Sequence, residues 1–101
     1  MSYFMYDVMG MTVDEPDTET MRRVLDGLAE ADDEHPDVSL SHESGWCLSA
    51  FTSGLLVWEN TADDSVVPGE MREASREEVL RLFGPLAAGN ITAIEELPWQ
   101  R

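Results

Sequence analysis

The sequence predicts an α+β fold built on a mostly antiparallel sheet of four to five strands. Between residues 37 and 60, apolar and polar residues alternate in short segments separated by turns, as they do in strands linked by hairpins. Two other segments, one on each side of this region, have the helical spacing of apolar residues instead. The order is strand, helix, strand meander, helix, which favours helices packed on one face of the sheet. At 101 residues, we expect a single domain over residues 1–101.

The first half of the chain predicts a strand, a helix and a second strand. Residues 3–11 are rich in aromatic residues and methionine and predict a buried strand, followed by a turn over residues 12–17. Met21, Val24, Leu25 and Leu28 then recur at helical intervals, and Asp17 or Thr18 can cap that helix. Like charges and a proline oppose its continuation beyond residue 31. The alternation over residues 37–41 predicts a half-exposed strand.

The second half predicts a hairpin, a short edge strand and two helices. Residues 46–52 and 55–60 form the hairpin strands, with Ser53-Gly54 as a two-residue turn, and residues 70–74 can add an edge strand. Ser75 and Glu78 form a capping box at the start of a helix that must kink or stop at Gly84-Pro85. A short helix follows the glycine at position 89, and Trp99 is expected to act as a lid on the core.

The most informative property of the composition is its negative charge. The formal net charge is −15, there is no lysine, and the segment from residue 14 to residue 43 holds eleven carboxylates against two arginines. We therefore expect no direct binding to nucleic acid and no attraction to an anionic membrane, because both depend on lysine and arginine. The single cysteine permits no internal disulfide, and no secretion signal or membrane span is present, so we expect a cytoplasmic protein.

No catalytic or metal-binding pattern emerges, and we expect neither an enzyme nor a cofactor. A metal site would require His35, His42 and Cys47 to converge, with Asp37 as an optional fourth ligand, but their spacing matches no zinc pattern. A nucleophilic pair of Cys47 and His42 lacks any third residue that could orient the histidine. Among the carboxylates only Glu59 ends an apolar strand; a buried Glu59 beside His42 would revive the enzymatic alternative.

Binding to a protein is better supported. The candidate contact residues are five acids and two aromatic residues: Glu30, Asp32, Asp33, Glu34, Asp37, Phe51 and Trp58. The acids either form a solubilising surface or complement a basic protein, where they would speed association. If the Ser53-Gly54 turn has two residues, Phe51, Leu56 and Trp58 share one face of the hairpin. A loop then covers that face, or it forms an exposed aromatic patch of the kind found at interface hot spots.

Several segments together resemble a known protein family. These are Gly45-Trp46-Cys47-Leu48, the stretch from Ser53 to Asn60, the stretch from Ser75 to Leu80, and Glu95-Glu96-Leu97-Pro98-Trp99. Over residues 45–99 the chain resembles the small acidic immunity proteins of bacterial polymorphic toxin systems. The resemblance implies an antitoxin that binds and blocks a cognate toxin without catalysis of its own. It assigns no contact residues, since the segments are hairpin and helix scaffolding.

The charge and the resemblance predict the same class of partner. Toxins that act on nucleic acids or nucleotides tend to have basic substrate clefts, which an acidic protein can occupy. A nuclease, a nucleobase deaminase, or an NAD-degrading or ADP-ribosylating effector acting in the cytoplasm fits this expectation. The alternative is an acidic regulatory or adaptor domain, or a DNA mimic, that binds a basic nucleic-acid-binding protein. The bunching of the carboxylates in one segment disfavours a mimic of evenly spaced phosphates.

Overall fold

The computed structural model describes residues 3–31 and 37–101, and these ranges contain six strands and three α-helices. The strands are β1 (Tyr3–Tyr6), β2 (Thr12–Asp14), β3 (Asp37–His42), β4 (Trp46–Phe51), β5 (Leu56–Asn60) and β6 (Gly69–Met71). The helices are α1 (Thr18–Asp26), α2 (Arg76–Ala87) and α3 (Ile91–Glu95), and a 3₁₀ turn at Gly27–Glu30 directly follows α1. None of these helices has the length and apolar character that crossing a membrane requires.

The strands form one antiparallel sheet in the order β2-β1-β3-β4-β5-β6. The predicted α+β class with an antiparallel sheet is confirmed, but the described residues contain six strands rather than four to five. The additional strand is β2, which lies where the sequence predicted a turn. Asp7 explains the difference, because its Oδ1 accepts hydrogen bonds from the backbone N–H groups of Met9 and Met11, each at 2.9 Å. The predicted strand over residues 3–11 therefore turns back after Tyr6, and β2 pairs with β1.

The helices begin where their capping residues predicted. Asp17 caps α1 by accepting a hydrogen bond from the backbone N–H of Thr20 at 2.8 Å. At α2 both hydrogen bonds of the capping box between Ser75 and Glu78 are present, each at 3.2 Å. This helix passes through Gly84-Pro85 and ends at Ala87, two residues beyond Pro85.

One cluster of buried apolar residues joins the helices to one face of the sheet, which we call the inner face. The inner face contributes Met5, Val38, Leu40, Leu48, Ala50, Leu56 and Trp58. The helices and the 3₁₀ turn contribute Met21, Val24, Leu25, Leu28, Val79, Phe83, Leu86 and Ile94. Every residue that set the helical period of α1 is therefore buried, as its spacing predicted. Trp99 packs against this cluster and is partly buried, in agreement with its predicted role as a lid.

The loop between β4 and β5 has a different length from the predicted one, and this changes which residues share a face. The backbone N–H of Phe51 donates to the carbonyl of Leu55, and that of Gly54 donates to the carbonyl of Phe51. Gly54 has φ +89°, so the loop is a three-residue turn with its glycine in the left-handed region. The predicted two-residue turn is wrong by one residue. A shift of one residue moves every side chain of β5 to the opposite face.

Candidate protein interface

The face of the sheet opposite the core, here called the outer face, contains side chains from all six strands. Directly paired residues of an antiparallel sheet point to the same side, so the strand register identifies them. One row crosses β2 to β5, a second crosses all six strands, and a third lies at the start of β3. The rows are Asp14-Phe4-Ser41-Cys47-Glu59, Thr12-Tyr6-Ser39-Ser49-Val57-Glu70, and Asp37-Phe51.

The middle of the outer face is lined by small side chains and its borders by larger ones. On β3 and β4 the floor consists of Ser39, Ser41, Cys47 and Ser49. On the β1 side stand Phe4 and Tyr6, whose rings meet edge to face with centroids 5.2 Å apart. On the β5 side stand Val57 and Glu59. We call this feature the outer trough: a floor of three serines and a cysteine between an aromatic wall and a mixed wall.

Two of the four floor residues of the outer trough are buried. Ser39 is 8% exposed and Cys47 is 7% exposed, although neither belongs to the apolar cluster between the sheet and the helices. The Ser41 hydroxyl donates a hydrogen bond to the Cys47 sulfur over 3.4 Å. Burial raises the pKa of the Cys47 thiol, which opposes formation of a nucleophilic thiolate. Cys47 therefore packs as a small apolar group in the floor.

His42 lies on the inner face, paired with Tyr3. Its Nδ1 accepts a hydrogen bond from the backbone N–H of Ser44 at 3.1 Å, whereas its buried Nε2 has no hydrogen-bond partner. Cys47 and Glu59 lie on the outer face, so the sheet separates both of them from His42. This geometry excludes the Cys47–His42 pair and the Glu59–His42 site that the sequence left open. Within residues 3–31 and 37–101, no group of three or more histidine, cysteine, aspartate or glutamate side chains could hold a metal ion.

Two of the predicted contact residues meet on the outer face. Asp37 and Phe51 are direct partners at the start of β3 and the end of β4, and both are half-buried. Burial raises the pKa of the Asp37 carboxyl. Glu30 is exposed at the end of the 3₁₀ turn. Asp32, Asp33 and Glu34 lie outside the described residues.

Trp58 requires a correction, because it lies on the inner face and is 0% exposed. The one-residue error in the hairpin placed it beside Phe51, whereas its direct partner is Leu48. Its indole stacks between those of Trp46 and Trp99, with ring centroids at 4.5 and 6.0 Å. Its Nε1–H donates to Glu95 Oε2 at 2.7 Å. A side chain enclosed in this way presents no surface to a partner, so Trp58 stabilises the fold and leaves the contact set. Leu56, also predicted to lie beside Phe51, is likewise buried on the inner face.

Positive charge is distributed unevenly between the sheet and the helices. Strands β1 to β5 contain no arginine or lysine, whereas α1 and α2 each contain two arginines. Arg22 pairs with Glu77 at 2.7 Å and Arg76 with Asp26 at 3.6 Å, so two ion pairs connect α1 to α2. Strands β1 to β5 therefore contain no arginine or lysine that could form such an ion pair with their own outer-face carboxylates.

A cavity of about 290 Å³ opens between the end of α1, the β4–β5 loop and the start of α2. Most of its lining residues are apolar, and its charged lining residue, Arg76, is already paired with Asp26. The described lining contains no carboxylate, histidine or cysteine, so it offers no general acid or base.

Comparison with known proteins gives no assignment: no family model, no curated protein and no solved structure matches this chain.

Proposed function

We propose that this protein is an immunity protein that binds and blocks a basic toxin through an acidic surface. The observation that carries the proposal is that strands β1 to β5 contain no arginine or lysine, in a chain of net charge −15. Exposed carboxylates without nearby cations leave a negative potential that attracts a basic surface and speeds its approach. The resemblance over residues 45–99 supports a toxin as that partner.

The class of toxin follows from charge. A nuclease, a nucleobase deaminase, or an NAD-degrading or ADP-ribosylating effector binds a polyanionic or phosphate-bearing substrate, and its cleft is accordingly basic. An acidic protein at such a cleft would block access of the substrate without any chemistry of its own. On this proposal the protein acts in the cytoplasm, together with its target.

The test of the electrostatic part compares two sets of neutralised acids, with Asp changed to Asn and Glu to Gln. The test set is the predicted acidic segment: Glu30, Asp32, Asp33, Glu34 and Asp37. The control set has the same number of acids, all exposed and placed elsewhere: Glu15, Glu19, Asp64, Glu73 and Glu96. Both variants have the same net charge, so any difference between them reports on position.

The tagged protein is first used to capture its partner from its own cells, with elution by a salt gradient. Binding to the purified partner is then measured by stopped flow at several salt concentrations. We expect one stoichiometric basic partner, whose association is slowed about tenfold or more by the test set and much less by the control set. Partners that are many, weak and lost at modest salt would contradict the proposal, and capture of a polymerase, gyrase or repressor would favour the regulatory alternative. Equal association rates for the two variants would refute the role of the acidic segment.

A further inference from the structure

We infer that the outer trough is the docking surface, and that it receives a basic α-helix of the partner. This inference rests on the proposed function, since it specifies where and in what form the basic partner binds. The trough is a sheet face to which none of the described helices contributes a buried residue. Its floor is formed by small side chains, and its borders carry both aromatic rings and carboxylates.

The dimensions of the outer trough match a helix. Its walls stand on β1 and β5, which are three strand spacings apart, or about 14 Å. An α-helix with its side chains is about 10–12 Å across. Along the strands, the six residues of β3 span about 20 Å, the length of about 13 helical residues. A bound helix would rest on the walls and on the half-buried Ser41 and Ser49, because Ser39 and Cys47 are only 8% and 7% exposed.

The charges around the outer trough select a basic occupant. Asp14 and Glu59 end the first row, Glu70 ends the second, and Asp37 lies at the start of β3. Arg72 pairs with Glu70 at 3.2 Å, and it lies beyond β6, outside the trough. A second copy of this chain would bring two acidic faces together at a net charge of −15 each, which is unfavourable. Arginine or lysine side chains on both sides of a bound helix would instead reach carboxylates at both borders.

The aromatic wall supplies the apolar part of the contact. Tyr6 is 42% exposed, and Phe4 and Phe51 are half-buried. Aromatic residues at the edge of a shielded polar floor combine a large contact area with few rotatable bonds, as interface hot spots do. Phe51 and Asp37 lie together at one end of the trough, so the predicted contact residues Phe51 and Asp37 both belong to this surface.

The first experiment places a long cationic side chain in the floor. Ser49→Arg fills the trough and repels a cation, and its side chain can extend to solvent because Ser49 is only half-buried. The matched control is Thr92→Arg, with the same change in charge at an exposed position of α3. Tyr6→Ala, which removes part of the wall at an exposed position, is a second variant in case Ser49→Arg does not fold.

Affinity for the captured partner is measured by calorimetry, after circular dichroism has shown that each variant is folded. We expect Ser49→Arg and Tyr6→Ala to weaken binding about tenfold or more, and Thr92→Arg by less than about twofold. If the parent protein binds a partner and both trough variants bind it equally well, the inference is overturned while the proposed function stays intact. Failure of the parent to bind any basic partner would overturn both.

The second experiment identifies the secondary structure of the occupant. Benzoylphenylalanine replaces Tyr6, and in a control protein it replaces Val67, which is 57% exposed in the loop before β6. Cross-linking at position 6, but not at position 67, should yield one partner segment with basic residues at helical spacing. A synthetic peptide of that segment should gain helical circular dichroism when the protein is added. A cross-linked segment that binds without gaining helix, or equal cross-linking from position 67, would overturn the helical occupant.

Discussion

Replacing Trp58 with phenylalanine tests how much the buried tryptophan stack and its hydrogen bond stabilise the fold. The replacement keeps a ring between Trp46 and Trp99 but removes the indole N–H that donates to Glu95 at 2.7 Å. A hydrogen bond to a charged group contributes about 1.5–3 kcal/mol, and the smaller ring also loses apolar contact. We therefore expect a loss of about 2–3 kcal/mol in the free energy of unfolding, from a total of about 5–15 kcal/mol for a domain of this size.

The assay is urea unfolding followed by the fluorescence of the two remaining tryptophans and by circular dichroism. With a slope of about 1 kcal/mol per molar urea, the midpoint should fall by about 2–3 M. Trp58→Ala should cost about 3–5 kcal/mol and bring the protein close to unfolding at room temperature. Loss of partner binding in Trp58→Ala would consequently report on folding rather than on a contact.

A double-mutant cycle isolates the hydrogen bond from the ring. Glu95→Ala is combined with Trp58→Phe, and the four free energies of unfolding give their coupling. Glu95 also accepts a hydrogen bond from Arg101 at 2.6 Å, but that loss occurs in both tryptophan backgrounds and cancels. We expect a coupling of about 1 kcal/mol or more. This value is low for a hydrogen bond to a charged group, because the Glu95 side chain is 38% exposed. Additivity within about 0.3–0.5 kcal/mol would refute the stabilising role of this hydrogen bond.

Three further changes test local features of the fold. Ser75→Ala removes the capping box of α2 and should lower the free energy of unfolding by about 1 kcal/mol, measured by urea unfolding against Thr92→Ala as control. Gly45→Ala should destabilise by more than about 1 kcal/mol, because φ is +96° and the new Cβ would lie 2.5 Å from Asn60 Oδ1; an unchanged midpoint would contradict the turn geometry. Burial raises the pKa of Asp37 in the folded protein above its pKa in the unfolded chain. The parent protein therefore loses stability as the pH rises from the unfolded-state pKa through the folded-state pKa. Asp37→Asn removes this loss and should stabilise the protein above the ordinary pKa of aspartate. The urea midpoint of Asp37→Asn should exceed that of the parent at about pH 7 and approach the parent's midpoint at about pH 3. An equal gain at the two pH values would argue against titration of Asp37 as the cause.

The sequence predicted those elements whose signals are local. The period of Met21, Val24 and Leu25 predicted α1 and its buried face, and the Ser75–Glu78 capping box predicted the start of α2. Both signals act within one or two turns of a helix, so they do not depend on the rest of the fold.

The errors arose where one residue decides a register or a direction. The β4–β5 loop could have two or three residues from its sequence alone, because Gly54 suits the left-handed position of either turn. That one-residue difference moved Trp58 from the predicted outer face to the core. Similarly, an aspartate such as Asp7 within an apolar segment can point outward from a strand or accept backbone hydrogen bonds within a turn. In the structure Asp7 accepts two backbone hydrogen bonds, so the chain turns there.

The outer trough could have been anticipated in part. Ser39 and Ser41 alternate with Val38 and Leu40, which already indicates a polar face for β3. Three further facts were needed to see a trough: the pairing of β3 with β4, the placement of Phe4 and Tyr6 on β1 next to it, and the packing of the described helices on the inner face. These depend on contacts between residues distant in sequence, which periodicity does not report.

The inner face of the sheet stabilises the fold, and on the proposed function the outer face serves binding. The inner face holds the fully buried residues, including Trp58 and Leu48, so its substitution unfolds the protein. The arginines that connect α1 to α2 form exposed pairs, which contribute about 0–1 kcal/mol each. Strands β1 to β5 contain no arginine or lysine. Binding of a basic partner there would offset the self-repulsion of a chain of charge −15 and stabilise the folded state by mass action. On the proposed function, the outer face could thus change its sequence to suit a cognate partner while the inner face keeps the fold.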